Sequence, residues 1–109
     1  MMRDCSFEEN LGIQKALLDL GMSIEFTLSG SSMVPTFHSG DKIKVRRHDC
    51  LTVGKIYVYV YNEEPPMRFV CHRLKSLTKD TCTFCGDNRT ICDKPVARDA
   101  VLGEVVENE

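Results

Sequence analysis

From residue 23 onward the pattern of hydrophobic and polar residues becomes typical of strands. Apolar and polar residues alternate in 24–28 and 42–46, and 56–61 has isoleucine and valine on one face and tyrosines on the other. Further strands are predicted over 67–75, 81–85 and about 100–107. Short strands punctuated by glycine and proline, without the regular strand–helix alternation of a parallel sheet, indicate a mainly antiparallel β fold. We therefore expect a mainly β domain whose core covers residues 23–107.

The first 20 residues have a helical period instead. Ser6 followed by Glu9 forms a capping-box pattern, and Gly21 is a natural helix stop. The apolar residues recur near every 3.6 positions, at Phe7, Leu11, Ile13, Leu17, Leu18 and Leu20. This spacing predicts one short amphipathic helix over about 6–20, with its apolar face on the core.

The length, charge and apolar content of the chain argue against nucleic-acid binding and against a membrane span. A chain of 109 residues argues for one domain, 1–109. Fourteen Lys and Arg against sixteen Asp and Glu give a net charge of −2, which offers no electrostatic surface for nucleic acid. The apolar runs fall far short of the ~20 residues that span a bilayer, and acidic residues occupy the start, where a signal peptide is apolar. We expect a soluble, cytoplasmic domain without a membrane anchor.

Six cysteines lie at positions 5, 50, 71, 82, 85 and 92. Without an export signal, reduced thiols are expected rather than a disulfide framework. The spacing of Cys82 and Cys85 matches metal ligands, and Cys71, His72 and Cys92 offer further donors. A second closely spaced pair is missing, and residues three apart on one strand point to opposite faces. We expect no cofactor, with a zinc-binding module as the alternative.

Three polar segments carry candidate chemistry. Residues 29–41 form a serine-rich turn between two predicted strands, His72 lies on the apolar face of a later strand, and residues 86–93 supply two carboxylates. A serine, an imidazole and a carboxylate in contact would support acyl transfer. A serine-rich turn is more often a simple connection, and a lone histidine on an apolar face is more often structural. The residues alone leave both interpretations open.

In this order the segments resemble the boxes of the type I signal peptidase family. The first is SGSSMVPT followed by HSGDKIKV, the second is FVCHRLKSL, and the third is GDNRTICD with VLGEV. The resemblance covers roughly residues 24–107. It implies a compact antiparallel β domain of the signal-peptidase catalytic-core type with one short N-terminal helix. The implied activity is that of a signal-peptidase-like serine endopeptidase.

The same resemblance implies a role for each site residue. Ser32 would be the nucleophile and His72 the general base, which is the histidine type of the family rather than its lysine type. Asp93 would orient His72, while Asp87 would shape the loop. The resemblance further implies support of the oxyanion and the loop by Ser31, Met33 and Asp87.

The expected partner is a peptide or protein substrate bound as an extended strand beside a sheet edge. Trimming the leader of a precursor peptide is our leading hypothesis for its substrate. A catalytically idle peptide-binding module is the alternative. The serine loop also resembles that of the self-cleaving repressor peptidases. Those use a lysine base and carry an N-terminal DNA-binding domain, so His72 and the short segment before the first strand favour the signal peptidase type.

Overall fold

The computed structural model describes residues 7–61 and 67–108, which form one helix, seven strands and a single 3₁₀ turn at Arg98–Ala100. The helix α1 spans Phe7–Asp19. The strands are β1 (Ile24–Thr27), β2 (Lys42–Arg46), β3 (Ile56–Tyr61), β4 (Arg68–Leu77), β5 (Thr81–Cys85), β6 (Val96–Ala97) and β7 (Val101–Asn108). The mainly β fold with one helix is therefore confirmed.

All strand pairs are antiparallel, and the strands follow the order β1-β2-β7-β3-β4-β5-β6 in one sheet that curls into a half-barrel. Strand β7 crosses back to lie between β2 and β3. A Cβ at Gly103 of β7 would lie 2.6 Å from the carbonyl oxygen of Arg46, so only glycine allows β7 to approach β2 this closely. Strand β1 lies at one edge of the sheet.

The curled sheet divides the core into two clusters, one on each face. Three tyrosines of β3, Tyr57, Tyr59 and Tyr61, are buried in the first cluster with Leu74 and Phe84. The second cluster lies under α1 and the loop after β1, and contains Leu18, Met33, Phe37, Ile43, Val45, Val58 and Leu102. Both faces of β3 are thus covered, which makes it the most buried strand of the described chain.

The predicted apolar face of α1 is partly wrong. Leu18 is buried and Leu11 packs beside it, but Ile13 and Leu20 are 55% and 76% exposed. At about 100° per residue, both lie roughly 140–160° around the helix axis from Leu18, so they point away from the sheet. The helix begins at Phe7 in the structure, and the predicted cap Ser6 lies outside the described residues.

The strand boundaries differ from prediction mainly around β4 and β6. Strand β4 continues to Leu77 rather than ending at 75, because its C-terminal half pairs with β5. The two-residue strand β6 was not predicted, since two residues are too few to show an alternation. The segment Glu63-Glu64-Pro65-Pro66, which interrupts the strand pattern in the sequence, lies outside the described residues. No helix in the described ranges is long and apolar enough to cross a membrane.

Candidate active site

The loop between β1 and β2 presents Ser32 to solvent on a well-anchored backbone. Gly30 adopts φ 85°, a left-handed conformation that suits glycine, and turns the chain before the serines. Met33 and Phe37 are buried in the second cluster and joined by a backbone hydrogen bond of 2.9 Å. Ser32, next to the buried Met33, stays half-buried. The side chain of Met33 thus anchors the loop that carries the serine.

His72 lies on β4, where it pairs with Tyr57 of β3, and only 8% of its surface is exposed. Its Nε2 lies 3.0 Å from Oγ of Ser32. The position of His72 on a central strand fixes the ring, because β4 is hydrogen-bonded to β3 along this stretch. Two residues 40 positions apart in the sequence therefore meet in a hydrogen bond.

Asp93 lies on the far side of the imidazole. Its Oδ2 is 2.5 Å from Nδ1 of His72 and also accepts a hydrogen bond from the hydroxyl of Tyr59. Burial opposes ionisation of Asp93, but these two hydrogen bonds, together with the charges of His72 and Arg89, hold the pKa of its carboxyl below the usual value. Burial, with the hydrogen bond to Asp93, raises the pKa of Tyr59. The carboxylate of Asp93 is thus hydrogen-bonded to both His72 and Tyr59.

Asp87 does not contact His72; it forms an ion pair with Arg73. The Nε and Nη2 atoms of Arg73 each donate to the Asp87 carboxylate at 2.8 Å. Thr36 donates to the same carboxylate from the serine loop. The Arg73 hydrogen bond is the main cause that lowers the pKa of Asp87 to about 2. Asp87 therefore ties β4 and the serine loop together.

The segment after β5 packs directly on the backbone of the serine loop. The main-chain N–H of Asn88 donates to the carbonyl of Ser32 at 2.8 Å, and its side-chain amide donates to the carbonyl of Ser31. A Cβ at Gly86 would lie 2.6 Å from the Ser32 carbonyl oxygen and 3.0 Å from the Ser32 Cβ. Ser31 itself is exposed and takes part through this carbonyl.

We expect Gly86→Ala to displace the serine loop, because the new methyl group cannot fit against the Ser32 carbonyl. The expected cost is about 1–3 kcal/mol of unfolding free energy, typical of overpacking, with at least a tenfold loss of any Ser32-dependent activity. Gly12→Ala is the matched control, since a Cβ at that helical position meets nothing within 4 Å. That control should raise stability by about 0.5–1 kcal/mol. Chemical denaturation measures both variants, and equal behaviour would contradict the close packing.

A cleft of about 530 Å³ opens over these residues. One wall is the edge strand β1 with the turn at Ser29 and Gly30, and the other is the first half of β4. That half of β4 pairs with β3 but not with β5, whose partners begin at Arg73. Ser32, His72 and Asp93 all line the cleft. An extended peptide would thus meet unpaired strand edges on both sides of the serine.

The cysteines do not assemble with His72 as the zinc alternative requires. Cys82 is buried in the first core cluster, while Cys92 is the neighbour that most raises the pKa of the Cys85 thiol. Both ring nitrogens of His72 are already engaged, by Ser32 and by Asp93. Within the residues that the structure describes, no three His, Cys, Asp or Glu side chains are arranged to hold a metal ion.

Three side chains of this site had no role predicted from the sequence: Tyr59, Arg73 and Thr36. Their contacts with Asp93 and Asp87 form because the segment after β5 folds back beside β3, β4 and the serine loop, which no local pattern encodes. The available signal was that Arg73 lies inside the second motif, directly after His72.

The sequence model of the Peptidase S24-like family matches residues 4–106, almost the whole chain. No curated protein matches the chain significantly. At the level of the family, the match supports a domain of the repressor-peptidase type, which the sequence reasoning had placed second. The type I signal peptidase resemblance and the histidine base go beyond this match and stay hypotheses.

Proposed function

This chain belongs to the Peptidase S24-like family, and we propose that it is a serine endopeptidase with Ser32 as nucleophile, His72 as general base and Asp93 as the residue that orients His72. The observation that carries the proposal is the continuous hydrogen-bonded chain from the Ser32 hydroxyl through both imidazole nitrogens to the Asp93 carboxylate. This arrangement has the roles and geometry of a serine peptidase triad, in the chain order Ser, His, Asp.

In the proposed reaction, Ser32 Oγ attacks the peptide carbonyl while Nε2 of His72 takes its proton. His72 then gives that proton to the leaving amine, and water releases the acyl group by the reverse sequence. Asp93 accepts a hydrogen bond from the Nδ1–H of His72, which keeps the proton on Nδ1 and leaves a lone pair on Nε2 facing the serine. The second donor, Tyr59, holds the carboxylate in place for this task.

The tetrahedral intermediate needs donors near Ser32. The main-chain N–H of Ser32 donates to no acceptor within the described residues, so it is available to an oxyanion. The Ser31 and Ser32 carbonyls are both held by Asn88, which fixes the orientation of the peptide unit between these two serines. Rigid donors of this kind stabilise developing charge without reorganisation during the reaction.

The proposed substrate is a peptide or protein segment bound as an extended strand in the cleft. The open edge of β1 and the first half of β4 both offer main-chain groups for this mode of binding. The resemblance to signal peptidases implies small residues near the scissile bond. It also supports leader removal from a precursor peptide as the biological reaction.

Labelling with a fluorophosphonate tests the proposed activity. The reagent should add covalently to the wild-type protein at Ser32, located by mass spectrometry, and His72→Ala should abolish the addition. A peptide-cleavage assay should accompany the labelling, since the family includes non-catalytic members. Addition at a serine other than Ser32 would refute the assignment. A protein that is neither labelled nor able to cleave peptides, yet binds them, would be the idle peptide-binding module instead.

A further inference from the structure

We propose that Cys85 and Cys92 form an oxidisable thiol pair that closes into a disulfide across the loop 86–91. The pair is a modification site outside the Ser32–His72–Asp93 chain. It rests on the proposed function only for its activity readout, because disulfide formation and stability are measurable without catalysis.

The two cysteines lie on facing segments of chain. Cys85 is the last residue of β5 and is buried, and the residue before it, Phe84, is hydrogen-bonded through its carbonyl to the N–H of Asp93, the residue after Cys92. Cys92 is also the neighbour that most raises the pKa of the Cys85 thiol. The same thiol donates to the carbonyl of Arg89 at 3.7 Å, inside the loop that the disulfide would close. Cys92 is exposed, so an oxidant reaches one member of the pair from solvent.

The backbone holds the pair in register. The main-chain N–H of Asp93 donates to the carbonyl of Phe84 at 2.8 Å, and a further bond of 3.0 Å from Arg89 to Gly86 closes the turn. The residues before Cys85 and after Cys92 are therefore fastened to each other. We therefore expect a bond between the sulfurs to form without breaking the hydrogen bond that positions the backbone of Asp93.

The other described cysteines lack this combination. Cys82 is buried within the core, and Cys50 is exposed beside the hydroxyl of Thr52. Cys71 lies in β4, where burial raises the pKa of its thiol to about 12. Among the cysteines that the structure describes, Cys85 and Cys92 combine two properties: they lie on facing segments, and one of them, Cys92, is accessible from solvent.

The chemistry needs an oxidant, and we name a peroxide. The exposed Cys92 thiolate attacks hydrogen peroxide, which gives a sulfenic acid and hydroxide. The Cys85 sulfur then displaces the sulfenic oxygen, forming the S–S bond and releasing water. Two thiols lose two protons and two electrons, and one peroxide becomes two waters. The hydrogen bond to Cys92 and burial raise the pKa of Cys85 to about 11, so Cys85 acts second.

The disulfide would brace the loop that organises the active site. Residues 86–91 contain Asp87, which is hydrogen-bonded to Arg73 of β4, and Asn88, which is hydrogen-bonded to the serine loop. Asp93 follows directly after Cys92. Closing an eight-residue ring lowers the entropy of the unfolded chain. We therefore expect oxidation to raise the melting temperature by roughly 10 °C and to leave peptide cleavage within about twofold.

The experiment compares the full chain before and after stoichiometric hydrogen peroxide. Trypsin cleaves after Arg89, so the two cysteines separate into peptides 80–89 and 90–98 unless a disulfide joins them. We expect these peptides to appear linked and lighter by two hydrogens, with fragmentation placing the link at Cys85 rather than Cys82. The melting temperature should rise in the wild type and in the control Cys50→Ser, but not in Cys92→Ser.

Two outcomes would overturn the proposed disulfide or its bracing role. Conversion of Cys92 to sulfinic acid without a linked peptide would show that Cys85 does not act as its partner. A linked peptide without a rise in melting temperature would remove the bracing role. Full linkage and stabilisation in a protein without peptidase activity would leave this proposal standing while the proposed function failed.

Discussion

Ser32→Ala is expected to lower kcat for peptide cleavage by about a millionfold, to the level supported by binding and oxyanion stabilisation alone. The reason is that the variant removes the hydroxyl that lies 3.0 Å from Nε2 of His72 and that, in the proposed mechanism, forms the acyl-enzyme. KM should change little, because the methyl group leaves the cleft and its strand edges intact. Steady-state cleavage of an extended peptide, followed by mass spectrometry of the products, measures the effect.

Ser31→Ala is the matched control, because Ser31 is the adjacent serine and contributes its carbonyl rather than its hydroxyl to the described contacts. It should keep kcat within about tenfold of the wild type. A Ser32→Ala protein that still cleaves at the wild-type rate, or a Ser31→Ala protein that loses all activity, would move the nucleophile away from Ser32.

Asp93→Asn should lower kcat by about 10⁴-fold while the fold remains intact. An asparagine can donate its amide to Nδ1, which drives the imidazole proton to Nε2 and removes the lone pair that Ser32 requires. The carboxylate that stabilises the charged imidazolium is lost at the same time. The activity should remain low at every pH at which the variant is folded, because the tautomer and not the ionisation is wrong.

Asp87→Asn tests whether the two carboxylates of the third motif, Asp87 and Asp93, have different roles. It breaks the paired hydrogen bonds with Arg73, so we expect a loss of about 1–3 kcal/mol in unfolding free energy but a decrease in kcat of no more than about tenfold. Kinetics and chemical denaturation on both aspartate variants decide the assignment. A larger catalytic loss in Asp87→Asn than in Asp93→Asn would reverse the two roles.

The β fold was predictable because residue pattern is a local signal: β1 and β2 alternate between apolar and polar residues, and β3 is rich in valine and tyrosine. The limits of local signals appear at β6, which is too short to show a period, and at Ile13 and Leu20, whose spacing only approximates the helical repeat. Burial of the three tyrosines on β3 required knowing that the sheet curls around them. Curl and strand order are properties of the whole sheet.

The sequence identified the candidate site residues, but it did not predict all of the side chains that contact them. The motifs singled out Ser32, His72 and Asp93, and the structure brings them together, while their catalytic roles remain a prediction. The motifs did not indicate Tyr59 as a second donor to Asp93, or Arg73 as the partner of Asp87. Those contacts join residues 14 and 34 positions apart, and they depend on how the segment after β5 folds back beside β3 and β4.

The crossing strand β7 has a consequence for the order of events during folding. It joins β1 and β2, which flank the serine loop, to the β3–β6 half that holds His72 and leads to Asp93. Because β7 follows every other described strand, synthesis produces both halves before the strand that joins them. The candidate site therefore spans two parts of the sheet that are united only when β7 pairs with both β2 and β3.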